Sequence, residues 1–481
     1  MRAGSKYQYL LHGAGCPCHT PEFARLNARL TEGFSRRNIL KGVAATIAAS
    51  ALSAAPALAA SNDGAILFKN VRIFDGLQNT LIEGRNILVR AGRIEALIPV
   101  SEPVENVDVI DCGGRVLMPG LIDSHWHSLL CAISMEVAMT AQVPYVHLVA
   151  AHEAQATLMR GFTTIRDVGG PSFALKRAID GGKAIGPRIY PSGAMISQTS
   201  GHGDFRMAYE IPNSSQTNLS HAEQAGISSI ANGVPEVLNR VREQLMLGAS
   251  QIKIMTGGGV SSLYDPLKSL QFTPEEIRAA VQAAKDWGTY VCTHVYTAEG
   301  IKRSIRNGVQ CIEHGQLADE EAVRMMVDTG TWWSIQPFLA DEDANPKSSP
   351  QQRKEQREIA EGTVRCFEWA DKYNIERLVW GTDILFNPTK TNTQGRQLAK
   401  LAEWFSNVDV LKLATSRSGE LLAMSGERNP YAGRLGVIEK GAFADLLLID
   451  GNPLEDISLV ADPDNMAVIM KDGRLFKNTL A

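Results

Sequence analysis

The sequence predicts an α/β protein: a (β/α)8 TIM barrel over residues 117–431, with a small β-sandwich built from both chain ends, residues 62–116 and 432–481. Three observations predict this. Apolar strand-like runs alternate with amphipathic helical runs eight times through the middle of the chain. Short β-rich runs punctuated by glycine stand on either side of that region. The 481 residues, 44% hydrophobic and 21% charged, suffice for a core larger than one small domain needs.

The first 60 residues read as a leader. Ser35-Arg36-Arg37-Asn38-Ile39-Leu40-Lys41 precedes an uncharged, alanine-rich run ending in Ala57-Leu58-Ala59. This pattern resembles a twin-arginine signal peptide with an A-x-A cleavage site, which predicts an exported protein, periplasmic or secreted. The competing reading is a membrane anchor. Leucine and isoleucine are sparse in the run, so insertion would be weak and no stable anchor is expected after cleavage. Cys16-Pro17-Cys18-His19, further upstream, reads as irregular leader rather than as a metal site.

In the mature chain, residues 65–75, 86–99 and 109–120 look like antiparallel β structure, as do 436–450 and 466–477. The eight candidate barrel strands are 121–127, 163–169, 188–194, 251–256, 290–296, 311–315, 332–338 and 377–383. Helical runs separate them, such as 274–288, for which Thr273 is a plausible N-cap. Right-handed crossovers make a barrel the natural topology for such units. Two long polar stretches, 198–234 and 340–358, follow strands three and seven and belong on the C-terminal face, where loops build the site. The net charge of −4 and the lack of a basic aromatic stripe argue against a nucleic-acid partner. The seven cysteines form no CxxC pairs, so neither a structural zinc site nor a disulfide framework is expected, and Cys292 and Cys311 read as core residues.

Six metal-competent side chains fall at the strand tips. His125 and His127 end strand one two residues apart, so both imidazoles face the same way, roughly 6–7 Å apart at Cα. Two neutral imidazoles so placed can chelate a divalent metal. A lone H-x-H is weak, since its ordinary alternative is a pair of polar loop residues. Lys253 interrupts an apolar central strand, where an ammonium is costly unless paired. It either meets a barrel carboxylate or is carboxylated by carbon dioxide. Burial favours the neutral amine that reacts, and the carbamate product can bridge two metals. His294, His314 and Asp383 end strands five, six and eight. Each alone would usually be structural; six together on strands one, four, five, six and eight point to a metal centre. Gly257-Gly258-Gly259 lacks the Gly-Lys-Ser/Thr ending of a phosphate loop and reads as a flexible turn letting backbone approach the substrate. His147 and His152 read as helix surface or packing residues, and Trp332 and Trp333 as barrel wall.

The order H-x-H, Lys, His, His, Asp on those strands resembles the amidohydrolase superfamily. The resemblance spans residues 64–478 and includes LMPGLIDSHWH (117–127) and GAFADLLLIDGNPLEDI (441–457). Residues 192–204 and 253–260 are similar to the imidazolonepropionase- and prolidase-related branch, with its Xaa-Pro dipeptidase-type carboxypeptidases and ochratoxin-hydrolysing amidases. The chain departs from that amidase type at Tyr296, where a second histidine is usual; the tyrosine hydroxyl is a candidate donor to a substrate carboxylate. The resemblance implies two divalent metal ions, with zinc the best suited: one held by His125, His127 and Asp383, the other by His294 and His314, and carboxylated Lys253 bridging them. Asp383 would act as base and then acid. His202 is either an oxyanion donor or a loop-ordering histidine. Arg166 either clamps a substrate carboxylate or pairs with Asp167 or Asp204. The implied reaction is hydrolysis of an amide or peptide bond beside a carboxyl-terminal amino acid, in dipeptides, N-acyl amino acids or ochratoxin-type amides. Lactone, phosphotriester or cyclic-amide hydrolysis on the same site is the alternative, and a catalytically dead barrel serving as a binding scaffold is a third. The expected partner is a small molecule or short peptide, and a homo-oligomer is expected.

Overall fold

The computed structural model describes residues 64–211, 219–261, 264–347 and 349–480. The leader and its signal-like motif lie outside the described residues. Six strands come first: β1 (Ala65–Lys69), β2 (Arg72–Ile73), β3 (Arg85–Arg90), β4 (Arg93–Pro99), β5 (Val107–Asp111) and β6 (Val116–Pro119). Three close the chain after a long interval: β17 (Leu446–Ile449), β18 (Met466–Lys471) and β19 (Arg474–Asn478). They form a four-stranded sheet in the order β4-β3-β1-β5 and a five-stranded sheet in the order β19-β18-β17-β6-β2. The second sheet therefore draws on both ends of the chain. One buried apolar cluster takes Phe68, Ile87 and Val89 from the first sheet and Leu446, Leu448 and Val468 from the second. Pairing is not uniformly antiparallel, as expected from the short turns: β1 runs parallel to β5, and β2 to β6.

Between these groups lie ten strands: β7 (Leu121–Trp126), β8 (Phe162–Asp167), β9 (Arg188–Pro191), β10 (Met195–Ser197), β11 (Ser228–Ile230), β12 (Ile252–Met255), β13 (Val291–Thr297), β14 (Cys311–Leu317), β15 (Trp332–Ile335) and β16 (Leu378–Trp380). All pair in parallel. The eight expected strands are present, but the ladders divide into three strands, β7-β8-β9, and seven, β11-β10-β12-β13-β14-β15-β16. A few hydrogen bonds join their margins. Ser250 N–H donates to Pro191 O at 2.8 Å, and Asp383 N–H donates to His125 O at 2.9 Å. Trp380 Nε1–H adds a third such bond, to Ile122 O, at 3.1 Å. The strand interiors are buried on both faces, as parallel sheets covered by helices require.

Local chemistry explains the helices. The helix Pro274–Asp286 starts with a capping box: Thr273 Oγ1 accepts from Glu276 N–H, and Glu276 accepts from Thr273 N–H. The polar stretch 198–234 is less irregular than its composition suggests. It contains β11 and the short helix His221–Gln224, and the helix Gly233–Leu247 starts at its end. Likewise the helix Pro350–Lys372 begins inside the stretch 340–358. Cys112, Cys131, Cys292, Cys311 and Cys366 are free and buried. Among the described residues, no helix is long and apolar enough to cross a membrane.

Candidate metal centre and substrate cavity

The strand ends bring five of the six candidate ligands into ring or ion-pair contact, and the sixth, Lys253, within electrostatic range. His125 Nε2 and His127 Nε2 lie 3.3 and 3.0 Å from Asp383 Oδ1. These three residues offer ligand atoms all within 4.8 Å of one another. The His314 ring centroid is 4.8 Å from that of His125 and 4.4 Å from that of His294. Gly381 makes this approach possible, since a Cβ there would sit 2.4 Å from His125 Cβ.

Two of the candidate ligands occupy strained backbone. His314 has φ +74° and Asp383 φ +52°, each costing roughly 1–3 kcal/mol for a non-glycine residue. At His314 the strain has a use. Successive strand residues normally face opposite sides, yet Glu313 and His314 both reach His125: Glu313 Oε2 accepts from its Nδ1 at 2.8 Å, and the His314 ring packs beside it. The left-handed turn at His314 breaks the alternation.

Each of the four histidines has one ring nitrogen bound to an acceptor outside the cluster. His125 Nδ1–H donates to Glu313. His127 Nδ1–H donates to Gly169 O at 3.0 Å. His294 Nε2–H donates to Gly258 O at 3.1 Å. His314 Nδ1–H donates to the Gln336 side-chain oxygen at 2.7 Å. Carbonyls and carboxylates only accept, so at His294 and His314 the contact fixes the tautomer and leaves the other nitrogen bare, whereas the Nε2 atoms of His125 and His127 face the Asp383 carboxylate. Burial, reinforced by neighbouring cationic groups, holds His294 and His314 well below the ordinary imidazole range. For His127 burial pulls the same way, but Asp383 outweighs it and raises the group. Burial would raise Asp383, but His125 and His127 hold its carboxyl well below the usual range. The site thus sets neutral imidazoles at His294 and His314 near an ionised Asp383 carboxylate, donors that suit a divalent metal.

Lys253 is 1% exposed on β12. Its ammonium has no hydrogen bond or salt bridge among the described residues. A buried lysine without an anionic partner is costly, and carboxylation would relieve that cost. The donor set therefore fits the implied metals.

The structure corrects the expectation for Arg166. The residue is fully buried beneath the ligands and cannot reach a substrate. It pairs neither with Asp167 nor with Asp204; its Nη2 bonds Glu313 Oε1 at 2.6 Å and its Nε bonds Ser124 O at 2.6 Å. Asp204 is taken by Arg206. Arg166 outweighs the effect of burial on Glu313 and holds that carboxyl ionised, well below its usual range. Glu313 and Gln336 are thus functional residues that the sequence reading passed over. Each is a polar side chain inside an apolar strand run, the same signal that singled out Lys253.

His202 stacks on His294 with centroids 3.9 Å apart and lies 3.9 Å from Asp265 by its Nδ1. Burial lowers it below the ordinary imidazole value. Gly258 and Gly259 serve these histidines: Gly258 supplies the carbonyl for His294, and a Cβ at Gly259 would lie 2.2 Å from the His202 ring. The turn thus admits histidines where close backbone approach to substrate was expected. Tyr296 packs 5.1 Å from His294 and 5.2 Å from His314. Trp333 is wall, as expected, and its Nε1–H donates to His314 O at 2.7 Å.

Above these residues opens a cavity of about 560 Å³. His202, His294, Tyr296 and Asp383 form part of its lining, with Phe205, Phe338 and Phe386 among its apolar walls.

Comparison with known proteins agrees with this geometry. The Amidohydrolase family model matches residues 116–476. The chain is 30% identical over 385 residues to an ochratoxinase from Aspergillus niger, covering 75% of this chain and 76% of that protein. It superimposes on a prolidase crystallised with N-methylphosphonate-L-proline with a TM-score of 0.78 at 33% identity, covering 86% of this chain and all of that one (100%). It superimposes on a Xaa-Pro dipeptidase with methionine in its active site with a TM-score of 0.75 at 29% identity, covering 86% and 100% of the two chains. The chain belongs to the amidohydrolase family.

Proposed function

We propose that this protein is a metal-dependent hydrolase of an amide or peptide bond next to a carboxyl-terminal amino acid, acting on dipeptides or N-acyl amino acids. The observation that carries the reading is the set of four imidazoles, each pinned from outside by an acceptor, gathered near Asp383 and buried Lys253 at the strand ends, with His294 and Asp383 lining the cavity. Family membership in amide-bond hydrolases and the prolidase and ochratoxinase relatives support it. In the same reading, the three- and seven-stranded ladders close into one barrel through their margin bonds, and the two flanking sheets form the sandwich. The signal-like leader supports export.

His125, His127 and Asp383 would hold one divalent ion, His294 and His314 a second, with carboxylated Lys253 between them; zinc suits this donor set. Bound there, such ions would supply Lewis-acid polarisation of the scissile carbonyl and acidify a water. The chain's own groups do the rest. Asp383, ionised and facing the cavity, is placed to take a proton from the attacking water and return it to the departing amine. His202, on the cavity wall, is placed to donate to the oxygen that gains charge. The phenyl rings exclude water around the acyl group or side chain.

The test is a panel assay on metal-loaded protein: dipeptides, N-acyl amino acids, lactones and phosphotriesters, each with a chelated control. Release of a carboxyl-terminal amino acid, abolished by chelator, is expected. Turnover confined to lactones or phosphotriesters would replace this reading.

A further inference from the structure

The cavity that the proposed reaction uses must also recognise a free carboxylate, because that group distinguishes a carboxyl-terminal residue from an internal one. Arg166 is sealed beneath the floor. Lys390 lines the cavity but is engaged by Asp343 at 3.4 Å and by the Glu342 carbonyl. Lys347 differs. It lines the same cavity, and its Nζ donates to Ser261 Oγ at 2.6 Å, a neutral hydroxyl. Among the described residues it has no carboxylate partner.

Its place is fixed by the loop that carries it. Asp343, four residues earlier, bonds Lys400 and Arg396. Asn345 is held by Asn387 Nδ2 on its side chain and by Gln356 Nε2, at 2.7 Å, on its carbonyl. Arg353 Nη1–H donates to Lys347 O at 3.1 Å. These tethers hold the backbone of Lys347, and the Ser261 contact holds its ammonium, so part of the ordering cost of binding is already met. It is also near the reacting centre: Asp383 acts on Lys347 electrostatically, and Lys347 acts in turn on His202. The carboxylate of a carboxyl-terminal residue lies one Cα from the scissile nitrogen, so it falls in this neighbourhood when the scissile bond meets Asp383. Burial depresses the Lys347 amine.

We propose that Lys347 is the carboxylate-recognising residue of the cavity and restricts the enzyme to substrates with a free carboxyl end, an inference that rests on the amidase reading above. The test pairs N-acetyl-L-phenylalanine with its carboxamide, using metal-loaded wild type, Lys347→Met and Lys347→Arg. Both kcat/KM and equilibrium binding by calorimetry are read. In wild type the acid should exceed the carboxamide, and Lys347→Met should lower the acid's kcat/KM roughly 10- to 100-fold, mainly through KM, the size expected for one charge-assisted bond. The carboxamide should be unchanged, and Lys347→Arg should keep most of the preference. An acid-to-carboxamide ratio that Lys347→Met leaves unaltered overturns the assignment, as does an equal loss on both. If neither compound is hydrolysed, the amidase reading is decided by the substrate panel above, while calorimetry still decides Lys347: weaker binding of the acid alone in Lys347→Met upholds it, and unchanged acid binding overturns it.

Discussion

At the scale of single residues, the site works by pinning. An imidazole has two nitrogens, and a ligand is ready only when the outer one is occupied. Glu313 performs that task for His125 and is itself kept ionised by buried Arg166. Replacing Glu313 by Gln keeps the shape but removes the charge. It should weaken metal affinity about 10- to 100-fold, measured by competition with a chromophoric chelator. Unfolding should also become easier, because Arg166 is left buried without its anion. Unchanged metal affinity in the folded variant would show that His125 orients itself. The six candidate ligands stood out in the sequence because they are chemically costly residues in or at the ends of strands. The pinning residues were less so: a glutamate or glutamine beside a ligand says little until the fold shows which imidazole it faces. Arg166 was misread for the same reason. An arginine at a strand tip looks available to substrate until its burial and its bond to Glu313 are seen.

At the scale of elements, the loop after β15 carries much of the cavity wall, and Asp343 anchors it. Burial opposes ionisation of Asp343, but Arg396 and Lys400 outweigh it and bring the group to about 2. A carboxyl depressed in the folded state stabilises above its ordinary value and loses that contribution as pH falls through the folded value. The anchorage should therefore be complete from neutrality down to about pH 4 and fail between there and about pH 2. Asp343→Asn should loosen the loop at every pH. Limited proteolysis should then cut within residues 340–347, and KM should rise several-fold while kcat falls less. Protection equal to wild type would contradict the anchoring role. The sequence marked this stretch as a polar loop on the active face but did not show where its helix begins. Pro350 and the Ser349 cap define that start only once the backbone is in place.

At the scale of the whole molecule, the flanking sheets are bolted to the strands that carry the site. Only Gly120 separates β6 from β7, and its N–H donates to Asp445 O at 2.8 Å. The Asp445 carboxylate also meets Arg188 of β9, at 3.1 Å, with both side chains buried. Asp445→Ala would leave Arg188, among the described carboxylates, only the half-exposed Asp472 beside its ring contacts, and should cost about 2–4 kcal/mol, read as a lower Tm. A Tm within a degree of wild type would count against a rigid junction. The alternation of strands and helices was legible from periodicity. The split of the ladders was not, because whether neighbouring strands form a full ladder or one bond depends on local twist and on bends such as that between β9 and β10. In this reading the strand-tip cluster holds metal for amide hydrolysis. The most direct test is to titrate metal-stripped protein with zinc, following bound metal and hydrolysis of an N-acyl amino acid together. Activity should be absent at the start, rise with zinc to a plateau at about two equivalents, and not appear in Lys253→Ala. Full activity in the metal-stripped protein would mean that the cluster does not act through metal.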